Sequence, residues 1–294
     1  MQKKEFVTTI KEGWDAPYLG TYDGQVSVSD FADLALEVEF ISIGRKPKNL
    51  HLLPTFKSIR YVETGVMNTE LIEAMSQLPK LEVLNVSFDK QDHWPSLKPL
   101  AHLKYIILYS IKKITSLDFL SGMTQLESLF LSEVLKLEDI SALETTPNIR
   151  EFALEGDLHC GSSTVPDTSP LFTLKKLEYL KFCSKNTQFD AVDFTNFKHL
   201  TYLRISPRRH PFELYAALEK HLPDTVVKNH TMFFPYEREA CDTCGSTNFL
   251  AAVGARQREF CPACHRGKLD KLLSTYEDLS GKPAECALAN IPFL

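Results

Sequence analysis

The sequence predicts an α/β protein: a solenoid whose parallel sheet gains one strand per repeat, followed by a small module held together by cysteines. Two observations predict it. One short apolar phrase recurs eight times between Val38 and Ile205. Two Cys-x2-Cys pairs, Cys241/Cys244 and Cys261/Cys264, then stand near the end of the 294-residue chain.

The phrase is an aliphatic residue, two others, an apolar residue, one other, and a further apolar residue. Six strong copies lie at Leu81–Leu84–Val86, Leu103–Ile106–Leu108, Leu126–Leu129–Leu131, Ile149–Phe152–Leu154, Leu177–Leu180–Phe182 and Leu200–Leu203–Ile205. Two weaker copies precede them at Val38–Ile41–Ile43 and Ile59–Val62–Thr64. Their first residues are 21, 22, 22, 23, 23, 28 and 23 positions apart. A period of about 20–29 carrying L-x-x-L-x-L is the pattern of a leucine-rich repeat, in which each strand and its return segment bury their apolar sides only by stacking on neighbours. The return segments carry anchors of their own, at Leu97 and Leu100, Leu117 and Leu120, Ile140 and Leu143, and Leu171 and Leu174. These are expected to close the core from the convex side.

The stretches Leu117–Leu131 (LDFLSGMTQLESLFL) and Ser169–Phe182 (SPLFTLKKLEYLKF) resemble the short-repeat, internalin-like class of leucine-rich repeat proteins, and the resemblance covers about residues 38–206. It implies a parallel sheet on the concave face. Members of that class place Asn three residues after the last strand anchor. Here those positions hold Asp89, Ile111, Val134, Asp157, Lys185 and Arg208. The Asn ladder is therefore missing, and irregular turns with reduced curvature are expected.

A solenoid needs capped ends, because a terminal repeat leaves one side of the core open. Residues 1–37 are assigned to an N-terminal cap and 38–206 to the repeats. Residues 207–235 form a C-terminal cap, built around a helix with Phe212, Leu214, Tyr215, Leu218 and Leu222 on one face and Pro223 as its stop. Residues 236–268 form the cysteine module. In 269–294 a second helix places Leu269, Leu272, Leu273, Tyr276 and Leu279 at helical spacing, ended by Gly281. That helix is expected to pack the module onto the cap or to serve as a dimer surface. The 28-residue step after Ile149 holds a turn-rich insertion at 158–170.

Sixteen residues separate the two Cys-x2-Cys pairs. A two-residue gap lets both thiolates of one turn reach a single tetrahedral ion, and the second pair completes it. Gly245 suits a tight knuckle, and Phe249–Val253 with Arg258–Phe260 can form the arms of a hairpin. The segment from Cys241 to Lys268 resembles a zinc ribbon, which implies one structural Zn2+ on Cys241, Cys244, Cys261 and Cys264. Four thiolates close the shell and leave no position for water or substrate. His265 adjoins the last ligand, as a bystander, as a donor to a ligating sulfur or as a replacement ligand. Two matched pairs fit one metal better than a redox dithiol, and too few further ligands remain for a two-zinc RING.

Strand alternation puts the third, fifth and seventh residues of each phrase on the concave side, where solvent exposure is expected. Tyr61, Tyr105, Ile107, Tyr109, Phe130, Tyr179 and Tyr202 fall there and are the candidate partner-binding residues. Exposed aromatics suit a protein interface, yet aromatics also suit strands through lateral packing alone. The leading functional reading is a non-enzymatic intracellular scaffold that binds another protein on this face, one form of which is an inhibitory or immunity-type role. The alternative is a nucleic-acid-associated protein that reads through Arg256, Arg258, Arg266 and Lys268 of the ribbon. The net charge of −5 gives no argument for bulk nucleic-acid binding. No nucleophile–base pair, phosphate-binding glycine loop or open metal site is seen, so an enzyme is not expected, and no catalytic residue is assigned. His159-Cys160 lacks a third orienting group. No apolar run suggests a signal peptide or membrane span, and seven cysteines without one point to a reducing, cytoplasmic setting and to metal rather than disulfides.

Overall fold

The computed structural model describes residues 24–156, 163–206, 209–222, 225–227, 231–254 and 259–293. Most of the expected N-terminal cap, the front of the insertion with His159 and Cys160, and Arg256 and Arg258 lie outside these residues. The chain forms two compact units, one reaching to Thr187 with Phe197–Leu200, the other holding Gln188–Asn196 and Thr201–Leu294.

The first unit is a leucine-rich repeat solenoid. Its strands are β1 (Val26–Asp30), β2 (Phe40–Lys48), β3 (Tyr61–Thr64), β4 (Val83–Ser87), β5 (Tyr105–Tyr109), β6 (Ser128–Ser132), β7 (Glu151–Glu155) and β8 (Tyr179–Phe182). Each pairs in parallel with the next, in sequence order. Equivalent phrase positions stand opposite one another, as in Leu84↔Ile106↔Leu129↔Phe152↔Leu180. Register follows from burial, since a slip of one residue would turn every anchor to the other face. The anchors Leu84, Ile106, Leu129, Phe152 and Leu180 are fully buried. The array begins one strand before the first apolar phrase, because β1 pairs with β2. Within the expected cap region Phe31 is buried and Leu36 is exposed.

The return segments carry 3-10 turns, at Leu50–Thr55, Asp118–Leu120, Ser141–Thr145 and Ser169–Thr173, and one helix, α1 (Thr69–Ser76). All eight anticipated anchors, Leu97 to Leu174, are buried. A short polar residue opens several of these segments by accepting from the amide two residues on: Ser96 from Lys98, Ser116 from Asp118, Asp139 from Ser141 and Asp167 from Ser169. Side chains of this type favour such turns because they satisfy backbone donors locally. Asn68 caps α1 by accepting from the Leu71 N–H at 2.8 Å.

At the exits of β4, β5 and β6 the turns are regular, contrary to the expectation drawn from the missing Asn ladder. Phe88, Ser110 and Glu133, each two residues past the last anchor, adopt left-handed backbone with φ of 61°, 55° and 56°. Their amides donate sideways to the next repeat, Phe88 to the Tyr109 carbonyl at 2.9 Å, Ser110 to Ser132 at 2.9 Å and Glu133 to Glu155 at 3.3 Å. Backbone bonds thus link these turns from one repeat to the next. Asp89 adds one side-chain rung, accepting from the Met67 amide of the preceding repeat at 2.8 Å.

The entry edge carries a ladder of charge. From the second phrase to the seventh, the second residue alternates in sign: Arg60, Glu82, Lys104, Glu127, Arg150 and Glu178. Arg60 pairs with Glu82 at 2.8 Å, Lys104 lies 4.0 Å from both Glu82 and Glu127, and Arg150 pairs with Glu178. The carbonyls of Arg60, Glu82, Lys104, Glu127 and Arg150 each accept two amides of the following repeat. Opposite charges one strand apart favour the observed register, although exposure limits each pair to about 1 kcal/mol or less.

In the second unit β9 (Tyr202–Ile205) pairs in parallel with β10 (Val226–Val227). The helix α2 (Phe212–His221) buries Phe212, Leu214, Tyr215 and Leu218, as its apolar face requires. The long helix α3 (Arg266–Ser280) ends at Gly281, whose φ of 70° serves the left-handed cap. It packs on α2, where the Tyr276 hydroxyl donates to Glu219 at 2.7 Å and Lys282 Nζ reaches the same oxygen at 2.7 Å. A short helix α4 (Ala284–Leu288) follows. His210 is buried beside Phe189 and Tyr215, and burial pushes its imidazole down to about 4. Gly254, at φ 114°, lies so close to α2 that a Cβ would sit 2.8 Å from the Phe212 nitrogen.

Candidate functional site

The four cysteines come together as the spacing predicts. Two knuckles, Cys241–Gly245 and Cys261–His265, are each closed by a backbone bond, Gly245 N–H to the Cys241 carbonyl at 2.8 Å and His265 N–H to Cys261 at 2.9 Å. Gly245 takes φ 72°, which a side chain would resist. Their frame is a small antiparallel sheet. Strand β12 (Asn248–Ala252) pairs with β11 (Phe233–Glu237) and is bridged to Phe260 through Leu250. The expected hairpin arm before Phe260 is thus one rung among the described residues. The main partner of β12 is β11, most of which falls within residues 207–235, the stretch that the sequence assigns to the cap.

The four Sγ atoms lie within 4.8 Å of one another. Cys241 Sγ is 3.7 Å from Cys264 Sγ, and Cys244 Sγ is 3.6 Å from Cys261 Sγ. A tetrahedron with zinc–sulfur bonds of about 2.3 Å has edges of about 3.8 Å, so the donor set fits such an ion in both size and chemistry. Amides of Thr243 and Cys244 pointing at Cys241 pull its thiol down, while hydrogen bonding with Cys244 and burial push Cys264 up. Thiols so close cannot all ionise without a cation between them. Cys261 is fully buried and Cys244 is exposed, so one side of the cluster meets water. His265 turns its Nδ1 to the Cys261 carbonyl at 3.2 Å. Cys183 and Cys286 stand apart from the cluster.

Of the four basic candidates on the ribbon, Arg256 and Arg258 lie outside the described residues. Arg266 is held by Asp270 at 2.9 Å. Lys268 places its Nζ 4.5 Å from the centre of the Phe260 ring, and partial burial lowers its pKa. Arg238 stands 5.8 Å over Phe249, and Tyr236 nearby on β11 is exposed.

The outer face of the first unit departs from the expectation of solvent exposure. Tyr61, Ile107, Phe130 and Tyr179 are buried, as are Asn85, Ser128, Glu151 and Lys181 of the same face. Alternation decides which side of a sheet a residue faces, whereas exposure depends on what surrounds it there. In-register neighbours contribute to this burial: Ile107 stands beside Phe130, and Phe130 beside Ala153. Asn85 donates to the Tyr61 hydroxyl at 2.9 Å and accepts from Ser87 at 3.1 Å, and Lys181 pairs with Glu155. Tyr105 and Tyr109 are half-buried, and so is Tyr202 in the second unit. Tyr109 directs its hydroxyl to Glu133 at 3.3 Å, and burial together with that carboxylate raises its pKa.

One residue that sequence reasoning missed stands at the exit edge. Phe88 is a large aromatic, 55% exposed, in left-handed backbone. Its ring meets Tyr109 at 86° with centroids 5.2 Å apart. The only sequence signal was an aromatic at the second position after a strand anchor, in a turn where Gly or Asn is more common.

No family model and no curated protein matches this chain. Among solved structures it is similar to an internalin from Listeria monocytogenes, with 17% identity, 64% of this chain and 54% of that chain covered, and a TM-score of 0.42. A leucine-rich repeat protein of Leptospira interrogans shows 18% identity, 64% and 52% coverage and a TM-score of 0.45. Internalin C2 of Listeria monocytogenes shows 22% identity, 60% and 72% coverage and a TM-score of 0.42. The chain spans about half the length of the first two. The repeat assignment rests on the strand register of this chain itself. No helix among the described residues is long and apolar enough to cross a membrane.

Proposed function

We propose that the chain is a non-enzymatic protein-interaction module, in which the repeat unit binds a protein partner and the ribbon carries one structural Zn2+. The observation that carries the binding reading is the half-exposed tyrosine pair Tyr105 and Tyr109 on one rigid strand of an in-register sheet. Aromatic side chains add much apolar contact area for little lost rotamer freedom, and a strand holds them in fixed positions. The buried Tyr61, Ile107, Phe130 and Tyr179 then support the surface, while its accessible part is the tyrosine edge. An inhibitory or immunity-type role inside the cell is the sharper form of this reading. Zn2+ would be held by Cys241, Cys244, Cys261 and Cys264. Bound there it supplies a fourfold cross-link, while the chain's own knuckle amides orient the sulfurs.

A second reading, nucleic-acid binding by the ribbon, draws on the exposed Tyr236 beside Arg238 and on Lys268 over Phe260. Bases stack on such surfaces, and phosphates pair with the cations. Purification from the native host with bound material separates the two. The interaction reading expects a stoichiometric protein that is lost from a folded Tyr105→Ala/Tyr109→Ala variant. Recovery of nucleic acid instead, kept by that variant and lost when Arg238 and Lys268 are neutralised, would overturn it.

A further inference from the structure

We propose that Phe88, Tyr109 and Glu133 form a receptor for a lysine or arginine side chain of a protein partner. This deepens the interaction reading above and rests on it.

The three residues come from successive repeats and meet at one edge. Phe88 follows β4, Tyr109 ends β5 and Glu133 follows β6. The two rings, at 86° to one another, form two walls of a corner. The Glu133 carboxylate accepts from the Tyr109 hydroxyl at 3.3 Å, so a negative charge stands at the corner's edge. Aromatic faces are negative and attract cations, and a carboxylate beside them adds charge complementarity. An aliphatic ligand would gain nothing from Glu133, and an acidic one would be repelled by it.

The corner is held in place. Phe88 and Glu133 both sit in left-handed backbone, which a side chain disfavours. Gly would relieve that at Phe88 but would lose the ring that meets Tyr109. The Phe88 amide is tied to Tyr109, and Asp89 next to it accepts from Met67 and twice from Gln91. The ring is therefore presented to solvent on a clamped turn, 55% exposed. Cations of the chain itself also border this turn. Arg45 donates to the Phe88 carbonyl at 3.4 Å, and Lys90 is exposed two residues along the turn. Arg45 competes with an incoming cation, so its removal should strengthen binding.

The test is an NMR titration of the full-length protein, with labelled Phe and Tyr rings, against N-acetyl-arginine methylamide and N-acetyl-lysine methylamide. N-acetyl-glutamine methylamide is the uncharged control. Saturable shifts of the Phe88 and Tyr109 rings are expected with both cations, in the millimolar range, and none with the control. Phe88→Gly, which suits the left-handed turn and so preserves folding, should weaken binding at least tenfold. Glu133→Gln should weaken it several-fold, and Arg45→Ala should tighten it. Equal shifts with the neutral probe, or a titration unchanged in Phe88→Gly, would overturn the proposal. The interaction reading is decided separately by partner recovery, so the receptor can fail while that reading stands, and the two failures are told apart.

Discussion

The repeat unit and the cysteine module solve one problem, holding short strands in place, by opposite means. In the first unit no single contact is decisive. Each strand from β2 to β7 is flanked on both sides, and the same apolar phrase recurs at the same height from β2 onward. Stability in such an array is close to a sum of repeat terms and nearest-neighbour terms. In the module four sulfurs gathered within 4.8 Å carry the load, on a two-stranded sheet of five residues per strand. A sheet of that size is marginal without help. Redundancy makes the first region tolerant, and concentration makes the second all-or-none.

The sharpest way to break this contrast is to remove the metal. Chelation, or Cys261→Ser at the buried ligand, should abolish stoichiometric zinc measured by elemental analysis. Hydrogen exchange should then show β11 and β12 losing protection while β3–β7 keep theirs. Structural zinc contributes on the order of 10 kcal/mol to a small domain, so the effect should be complete. Equal loss of protection in β3–β7 would show that the two regions do not differ as argued. Acid should act in the same direction as chelation, because protons compete with zinc for the thiolates as pH falls.

A smaller effect is expected in the solenoid. Leu129→Ala empties a fully buried anchor at the middle of the array. It should cost about 3 kcal/mol in denaturant unfolding. The loss of exchange protection should be largest in β5–β7, the strand itself and its two neighbours, and fade outward. Uniform loss across the array would mean that the unit unfolds as one block.

The smallest effect tests the charge ladder. Arg150→Ala leaves Glu178 and Glu127 without their shared cation, and should cost less than about 1 kcal/mol. That cost should shrink further in molar salt, where exposed charges are screened. A salt-independent loss would point instead to the packing of the arginine stem.

Much of this architecture was legible because it rests on periodicity. A repeat of 21–23 residues allows one strand per turn of the chain, and the anchors at Leu84, Ile106, Leu129 and Phe152 became adjacent rungs. The cysteine spacing was legible for a similar reason, since a tetrahedral ion admits few arrangements of four short side chains. The alternating charges at the second position were legible too, once the phrases are aligned, because register places Arg60 beside Glu82 and Arg150 beside Glu178. The pairing of β11 with β12 was not legible, because a five-residue strand carries no mark of its partner.

What the sequence by itself determined is therefore which residues share a side: anchors inward, tyrosines outward, thiolates converging. What only the tertiary structure decided is how much water each outward residue meets and what backbone the turns adopt. Ile107 and Phe130 face outward yet are buried, while Phe88, outside the pattern, is exposed. The physical reason is that sidedness is set by local chain geometry, which repeats with the sequence. Exposure and left-handed turns depend on neighbours a whole repeat away, such as the Tyr109 carbonyl that fixes the Phe88 amide.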